Sequence, residues 1–245
     1  MPQPTSVLRT ALLAVLLALP LHVASAQEST REARSVEAFT AVGFRAPGTL
    51  YLRQGPERSV EVEAPQAVLD QFEIEVDDGT LELPADEDDG LFGGLFGDDE
   101  SYDGTVDIYV TAPTIESVSL AGAGEIVGEN QIEGETFELT VAGSGRTRLD
   151  VNADELEVQV AGSGTTMLGG QTDALTVDIA GSGDLQATDL ETRMMEASIA
   201  GSGDAEVHVT DELDASIFGS GDVHYRGEPS VSTSTVGSGE VGPIE

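Results

Sequence analysis

The stretch FELTVAGSG at residues 137–145 decides the fold, because nearly the same stretch returns further along the chain. It reads LEVQVAGSG at 156–164 and LTVDIAGSG at 175–183. In total, seven Gly-x-Gly triplets follow one another at intervals of 18 to 21 residues, which is the pattern of a repeat protein. The triplets begin at Gly122, Gly143, Gly162, Gly181, Gly201, Gly219 and Gly237.

Apolar and polar residues alternate in front of each triplet. Leu156, Val158 and Val160 are apolar, whereas Glu157 and Gln159 between them are polar. A period of two predicts a strand with one buried face. Since the alternation resumes after each triplet, one repeat is interpreted as a strand, a glycine corner, a shorter strand and a turn.

Stacking of equal repeats predicts an all-β fold: a parallel β-solenoid or β-helix whose neighbouring coils lie about 4.8 Å apart. Glycine is needed at the corner where the backbone turns with positive φ, or where stacked backbones come too close for a Cβ atom. We assign this structural turn role to Gly143, Gly145, Gly162, Gly164, Gly181, Gly183, Gly201, Gly203, Gly219 and Gly221.

Residues 35–112 follow a different pattern and are predicted to form an N-terminal antiparallel β cap. Short alternating segments such as 49–53 and 80–83 are separated by turn residues, and a short helical turn fits 66–71. An acidic, glycine-rich insertion occupies 85–104 of this cap region. The repeat solenoid then takes residues 113–245.

The first 26 residues are predicted to be a signal peptide. Arg9 supplies a positive charge, residues 11–19 are apolar, and Ala24-Ser25-Ala26 is a cleavage signal before Gln27. The chain is therefore expected to be exported, to the periplasm, the outer surface or the extracellular space. Later stretches are too short or too polar to cross a bilayer, so no transmembrane segment is predicted in the mature chain.

The charge of the chain limits its partners. All ten basic residues are Arg, and the formal net charge is −36. Nucleic acid and anionic membranes are recognised by Lys and Arg, so neither is expected as a partner. Cations or basic surfaces are the complementary partners. The chain has no Cys, which excludes disulfides and a thiol nucleophile.

No constellation of residues indicates an enzyme, and no catalytic residue or cofactor is predicted. Beyond the signal peptide the chain has two histidines, His208 and His224, which are interpreted as outward-facing strand residues. Carboxylates are abundant, but no pair stands out as a general acid and base. A cation-dependent carbohydrate-binding or carbohydrate-cleaving solenoid remains the alternative.

One loop has oxygen side chains at calcium-binding spacing. Asp99, Ser101 and Asp103 occupy positions 1, 3 and 5 of an EF-hand-like loop, and Asp107 occupies position 9. The bidentate Glu expected at position 12 is replaced by Val110. A weak calcium site and a metal-free acidic loop are both consistent with this pattern.

A second acidic feature follows the triplets. The residue after the triplet is acidic in the last four repeats, which predicts a column of carboxylates about one strand spacing apart. Such like charges repel one another unless solvent or cations screen them. The four residues are Asp184, Asp204, Asp222 and Glu240.

Three N-terminal segments complete a recognisable set: FTAVGF at 39–44, GTLYL at 48–52 and GTLEL at 79–83. Together with the Ala-Gly-Ser-Gly series, they make residues 36–240 resemble the bacterial family of putative autotransporter adhesins with a head GIN domain. The resemblance implies a secreted, β-solenoid-like protein of the cell envelope whose proposed role is adhesion to an unknown envelope or extracellular ligand. It implies no catalytic residues. The acidic insertion is a departure from the family pattern.

Overall fold

A computed structural model describes residues 29–84 and 106–244, and most of these residues lie in β-strands. The predicted signal peptide and the insertion at 85–104 lie outside them. The elements are β1 (Thr30–Arg34), β2 (Ala41–Phe44), β3 (Gly48–Gln54), β4 (Ser59–Ala64), α1 (Gln66–Leu69), β5 (Glu75–Asp77), β6 (Thr80–Leu83), β7 (Val106–Ala112), β8 (Ser117–Gly122), β9 (Glu125–Gly128), β10 (Ile132–Gly143), β11 (Arg146–Gly162), β12 (Thr165–Gly181), β13 (Asp184–Gly201), β14 (Ala205–Gly219), β15 (Val223–Arg226), β16 (Ser230–Gly237) and β17 (Val241–Pro243).

The repeats stack as parallel strands, which confirms the predicted β-solenoid of about seven turns. From β10 to β14 each strand pairs in parallel with the next. The register follows the repeat: Val158 lies beside Leu139 of the coil before it and Val177 of the coil after it. The strands β11 to β14 are 15 to 18 residues long because each bends around the coil.

The core is a column of apolar side chains inside the coils. Leu156, Val158 and Val160 are at most 2% exposed, whereas Glu157 between them is exposed. Full burial of such a side chain contributes about 1.5–3 kcal/mol, but only when the next coil covers it. Stability is therefore shared between neighbouring coils.

The glycine corners bring successive backbones into close contact. Gly201 has a φ of +138°, and a Cβ atom added there would collide with the carbonyl oxygen of Gly181 in the preceding coil. That carbonyl accepts a hydrogen bond from the backbone N–H of Ser202 at 2.8 Å. Gly122, in the first triplet, shares the positive φ but has nothing within 4 Å of an added Cβ.

The N-terminal region contains the predicted antiparallel pairs, and it also contributes parallel strands to the stack. Antiparallel pairing joins β1 to β4, β4 to β7 and β5 to β6. However, β2 lies in parallel between β6 and β8, and β3 lies in parallel between β7 and β9. The cap is therefore mixed, because residues 41–54 have the strand, glycine corner and strand of a repeat. Phe44 stacks between Leu83 and Leu120 as a core residue would.

A short helix packs on this region. The predicted helical turn at 66–71 is α1, which buries Val68 and Leu69. Across residues 29–84 and 106–244, no helix is long and apolar enough to cross a membrane.

The comparison of Gly201→Ala with Gly122→Ala tests the corner contact. Both variants force Ala into a positive φ, which costs about 1–3 kcal/mol. Only Gly201→Ala adds a clash with the preceding backbone, so we expect it to lower the free energy of unfolding by about 2 kcal/mol more than Gly122→Ala. Urea unfolding followed by circular dichroism measures both values, and equal losses would contradict the corner contact.

Candidate functional site

The residues that follow the triplets line up on one outer face. The backbone register places Thr165 beside Arg146 of the preceding coil and Asp184 of the following coil, and Arg146 beside Glu125. The last four members are the acids predicted from the sequence. We call Asp184, Asp204, Asp222 and Glu240 the acid column.

Backbone hydrogen bonds hold the acid column in place. Oδ1 of Asp204 accepts the backbone N–H of Asp222 at 2.9 Å, and Oδ1 of Asp222 accepts the backbone N–H of Glu240 at 2.8 Å. Oδ1 of Asp184 accepts the N–H of Asp204 at a longer 3.4 Å. The carboxylates of Asp184, Asp204 and Asp222 thus each have one oxygen bonded to the next coil, and these hydrogen bonds offset part of the repulsion between neighbours.

Asp107 lies at the other end of the same ladder. It is a residue of β7, beside Thr49, which in turn lies beside Glu125. Glu63 lies opposite Asp107 on the antiparallel strand β4. Burial and the charge of Glu63 raise the pKa of Asp107 above 3.8, and a hydrogen bond from Thr49 opposes this shift. Asp107 therefore has polar neighbours of its own within the solenoid.

The other three residues of the predicted calcium loop, Asp99, Ser101 and Asp103, lie outside the described residues, so this site stays a prediction. Within 29–84 and 106–244, no cluster of three or more His, Cys, Asp or Glu residues is arranged to hold a metal ion.

A tyrosine stack lies two residues further along the same strands. The rings of Tyr51 and Tyr109 are 4.8 Å apart at an interplanar angle of 10°, and the guanidinium of Arg31 lies 3.5 Å from the centre of the Tyr109 ring. Burial and the nearby acids Glu63 and Asp107 raise the pKa of Tyr109, whereas the positive charge of Arg31 acts to lower it. Sequence reasoning missed this stack. Its signal was the equal position of the two tyrosines after Gly48 and Val106, which are register partners.

Other cross-coil contacts are polar. Arg193 lies 3.5 Å from Asp173 and 3.2 Å from Asp211, one coil to each side. The hydrogen bond to Asp211 and both negative charges raise the pKa of Arg193. These exposed pairs align the coils and contribute little stability each.

The two histidines do not stack on each other. His208 lies beside Arg226, and His224 lies beside Glu206. Both belong to outward-facing ladder positions, as predicted.

A groove with a volume of about 810 Å³ lies on the described surface. It is open to solvent and contains four glutamates, Glu116, Glu138, Glu155 and Glu157, without a basic residue in its lining. Phe137 also lines this groove but is only 2% exposed, so its ring lies beneath the outer layer.

Comparisons with known proteins agree with this architecture. The family model described as putative auto-transporter adhesin, head GIN domain, matches residues 38–229. A putative adhesin of Bacteroides fragilis is 24% identical, with a TM-score of 0.80, over 89% of this chain and 98% of that one. A putative lipid binding protein of Parabacteroides distasonis is also 24% identical, with a TM-score of 0.68, over 89% and 97% of the two chains. A putative adhesin of Parabacteroides merdae is 18% identical, with a TM-score of 0.67, over the same shares. No curated protein matches the chain.

Substitutions at Asp204 separate charge from hydrogen bonding in the acid column. Asp204→Asn keeps an oxygen for the N–H of Asp222 and removes one charge, so we expect a higher melting temperature at low salt and the parent value at 1 M NaCl. Asp204→Ala also removes the acceptor and should remain below Asp204→Asn at both salt concentrations, by about 1 kcal/mol in stability. Thermal melts at both salt concentrations measure these differences. Equal melting temperatures for Asp204→Asn and Asp204→Ala would contradict the proposed role of the hydrogen bond from Asp222.

Asp107→Asn tests the raised pKa. The folded chain holds this proton more tightly than the unfolded chain, so ionisation lowers stability as the pH rises from about 3.8 through the folded pKa. Asp107→Asn should therefore be more stable than the parent at pH 7, and the difference should vanish below pH 3.8. Melts between pH 3 and 7 measure it, with the exposed Asp178→Asn as the control for general charge removal. An Asp107→Asn profile parallel to that of the control would contradict the prediction.

Proposed function

Because the chain belongs to the family described as putative auto-transporter adhesin, head GIN domain, we propose that it is an exported, non-catalytic interaction module of the cell envelope or outer surface that acts by adhesion. The proposal is supported chiefly by the outer faces of the described coils, where register partners form continuous ladders.

The face at the glycine corners repeats one small pattern in the coils from Gly143 to Gly201, and Phe218 and Val236 replace the alanine in the last two coils. Ala161 and Ser163 stand before Thr165, and Ala180 and Ser182 stand before Asp184 in the next coil. The register keeps Ala161 beside Ala180, so each type of side chain forms its own row. Such a face offers the same weak contact about every 4.8 Å. It suits an extended or repetitive ligand, because the weak contacts add along its length.

Charge favours a basic ligand. The acid column runs along this face, and the whole chain carries a net charge of −36. Positively charged surfaces are attracted to such a field, whereas acidic ones are repelled. The electrostatic attraction should act only over short distances at physiological ionic strength, because the Debye length is then about 8 Å.

A carbohydrate-binding or carbohydrate-cleaving solenoid is the second candidate, because of the glutamate-lined groove. Glu138 and Glu157 are register partners in adjacent coils and both line it. Against it, Phe137 is too buried to stack on a sugar ring. One face of Tyr51 and one face of Tyr109 cover each other, and Arg31 lies over the Tyr109 ring, so less ring surface is free for a sugar.

Bead adhesion with two charge-matched variants tests both candidates. Beads carrying the exported protein are passed over films of chitosan, polylysine and uncharged dextran, with and without calcium. The first variant neutralises the acid column, with Asp184→Asn, Asp204→Asn, Asp222→Asn and Glu240→Gln. The second neutralises four exposed acids of a ladder on another face, with Glu138→Gln, Glu157→Gln, Glu196→Gln and Asp214→Asn.

We expect retention on the basic films and about tenfold fewer retained beads for the first variant, with less than about a twofold change for the second. Equal losses would indicate unspecific charge attraction and contradict the proposal. Loss confined to the second variant, together with release of reducing ends from chitosan or dextran, would favour the groove and the carbohydrate-active alternative.

A further inference from the structure

Strand β16, in the final coil of the described stack, has an unprotected outer edge. All eight residues of β16, Ser230–Gly237, are exposed. Its strand partner in the described structure is β14. The strand carries no charged residue, although 23% of the chain is charged. Its Ser, Thr and Val residues favour extended structure, so the outer edge is ready to pair with another strand.

The opposite end of the solenoid is protected. Its outermost strands are β1, which carries Arg31, Glu32 and Arg34, and the three-residue β5, which carries Glu75 and Asp77. Charged side chains and short length are the usual means by which edge strands avoid pairing with other chains. The chain therefore protects one end, whereas at the other end β16 is left open beside the short strand β17, which contains Pro243.

Apolar side chains are also exposed at the open end. Phe218 is 69% exposed and Val236, its register partner, is 61% exposed. Val231, Thr233 and Thr235 stack on the buried interior residues of β14, yet all three are exposed because no further coil covers them. Another strand placed along β16 would bury these interior-facing side chains and satisfy its free backbone groups.

A second copy of the chain is the occupant that the charges favour. Two copies that each carry −36 repel wherever acidic faces meet, so the uncharged strand is the place where they approach at least cost. In an antiparallel pair with Thr233 on the two-fold axis, Val231 of one copy lies opposite Thr235 of the other. Interior-facing residues then meet interior-facing residues. The paired segment, residues 230–236, would be about 24 Å long, with about six to eight backbone hydrogen bonds.

We propose that β16 pairs in antiparallel with β16 of a second copy, which joins two solenoids end to end in a two-fold dimer. The two-fold symmetry closes the assembly at two copies, since both open edges are used. The dimer is independent of the ligand proposed above, because β16 lies at the end of the stack and the experiments on it use no ligand.

Sedimentation of the protein exported from the full-length gene tests the dimer. Screening removes repulsion between the acidic copies, so we expect the dimer dissociation constant to fall as NaCl rises, the reverse of a dimer held by ion pairs. Thr233→Lys would place a charge between the joined interiors and should raise the dissociation constant about 100-fold or more. Ser234→Lys adds the same charge on the outer face of the same strand and should change it by less than about threefold.

Single cysteines test the register, because the described chain has no cysteine of its own. Thr233→Cys lies on the axis and should form an intermolecular disulfide under mild oxidation. Two Val231→Cys residues would be about 13 Å or more apart and should not. A monomer at every protein and salt concentration, equal cross-linking of the two variants, or masses that grow beyond the dimer would each overturn the proposal.

Discussion

The contact between the backbone of one glycine and the carbonyl oxygen of the glycine one coil earlier is the constraint on which the rest of the structure depends. A side chain at Gly201 would hold its coil away from Gly181, and the hydrogen bond from Ser202 would be lost. Because the corners from Gly143 to Gly237 all make this contact, the coils remain in register. The same positions of the repeat then lie beside one another in front of each corner, from β11 through β13. The flat faces that we propose as binding surfaces are thus a consequence of backbone packing at the corner.

The fold could be predicted from the sequence because each repeat carries its own signals, namely a period of two and a glycine corner. The stacking order could not be predicted, because no residue pattern within 41–54 shows that this segment inserts between β6–β7 and β8–β9. The same limit applies to the site. The acid column follows directly from the spacing of the triplets, whereas the stack of Tyr51 on Tyr109 and its contact with Arg31 depend on which strands become neighbours. The calcium loop remains a prediction, with Asp107 alone among its residues in the described structure.

The acid column shows how a solenoid accommodates like charges at strand spacing. Each carboxylate from Asp184 to Asp222 accepts a backbone N–H from the following coil, so the backbone itself supplies a partner for the charge. At each step of the column, a hydrogen bond between coils therefore accompanies the repulsion between neighbouring carboxylates. A regular acidic face can persist in this way without a basic residue opposite every acid, in a chain whose formal net charge is −36.

The position of β2 and β3 inside the stack has a consequence for the order of assembly. A solenoid whose coils stack in sequence order could fold coil by coil as the chain emerges during synthesis. Here the earliest coil needs β6 and β7 on one side and β8 and β9 on the other, and all four come later in the chain. The N-terminal segment therefore has no neighbouring coil on either side until β6 emerges, about 36 residues after Phe44, and both sides are covered only when Glu125 has emerged, about 80 residues after Phe44. The earliest coil is thus completed only after the following coil has emerged, and coil-by-coil stacking continues from there toward β17.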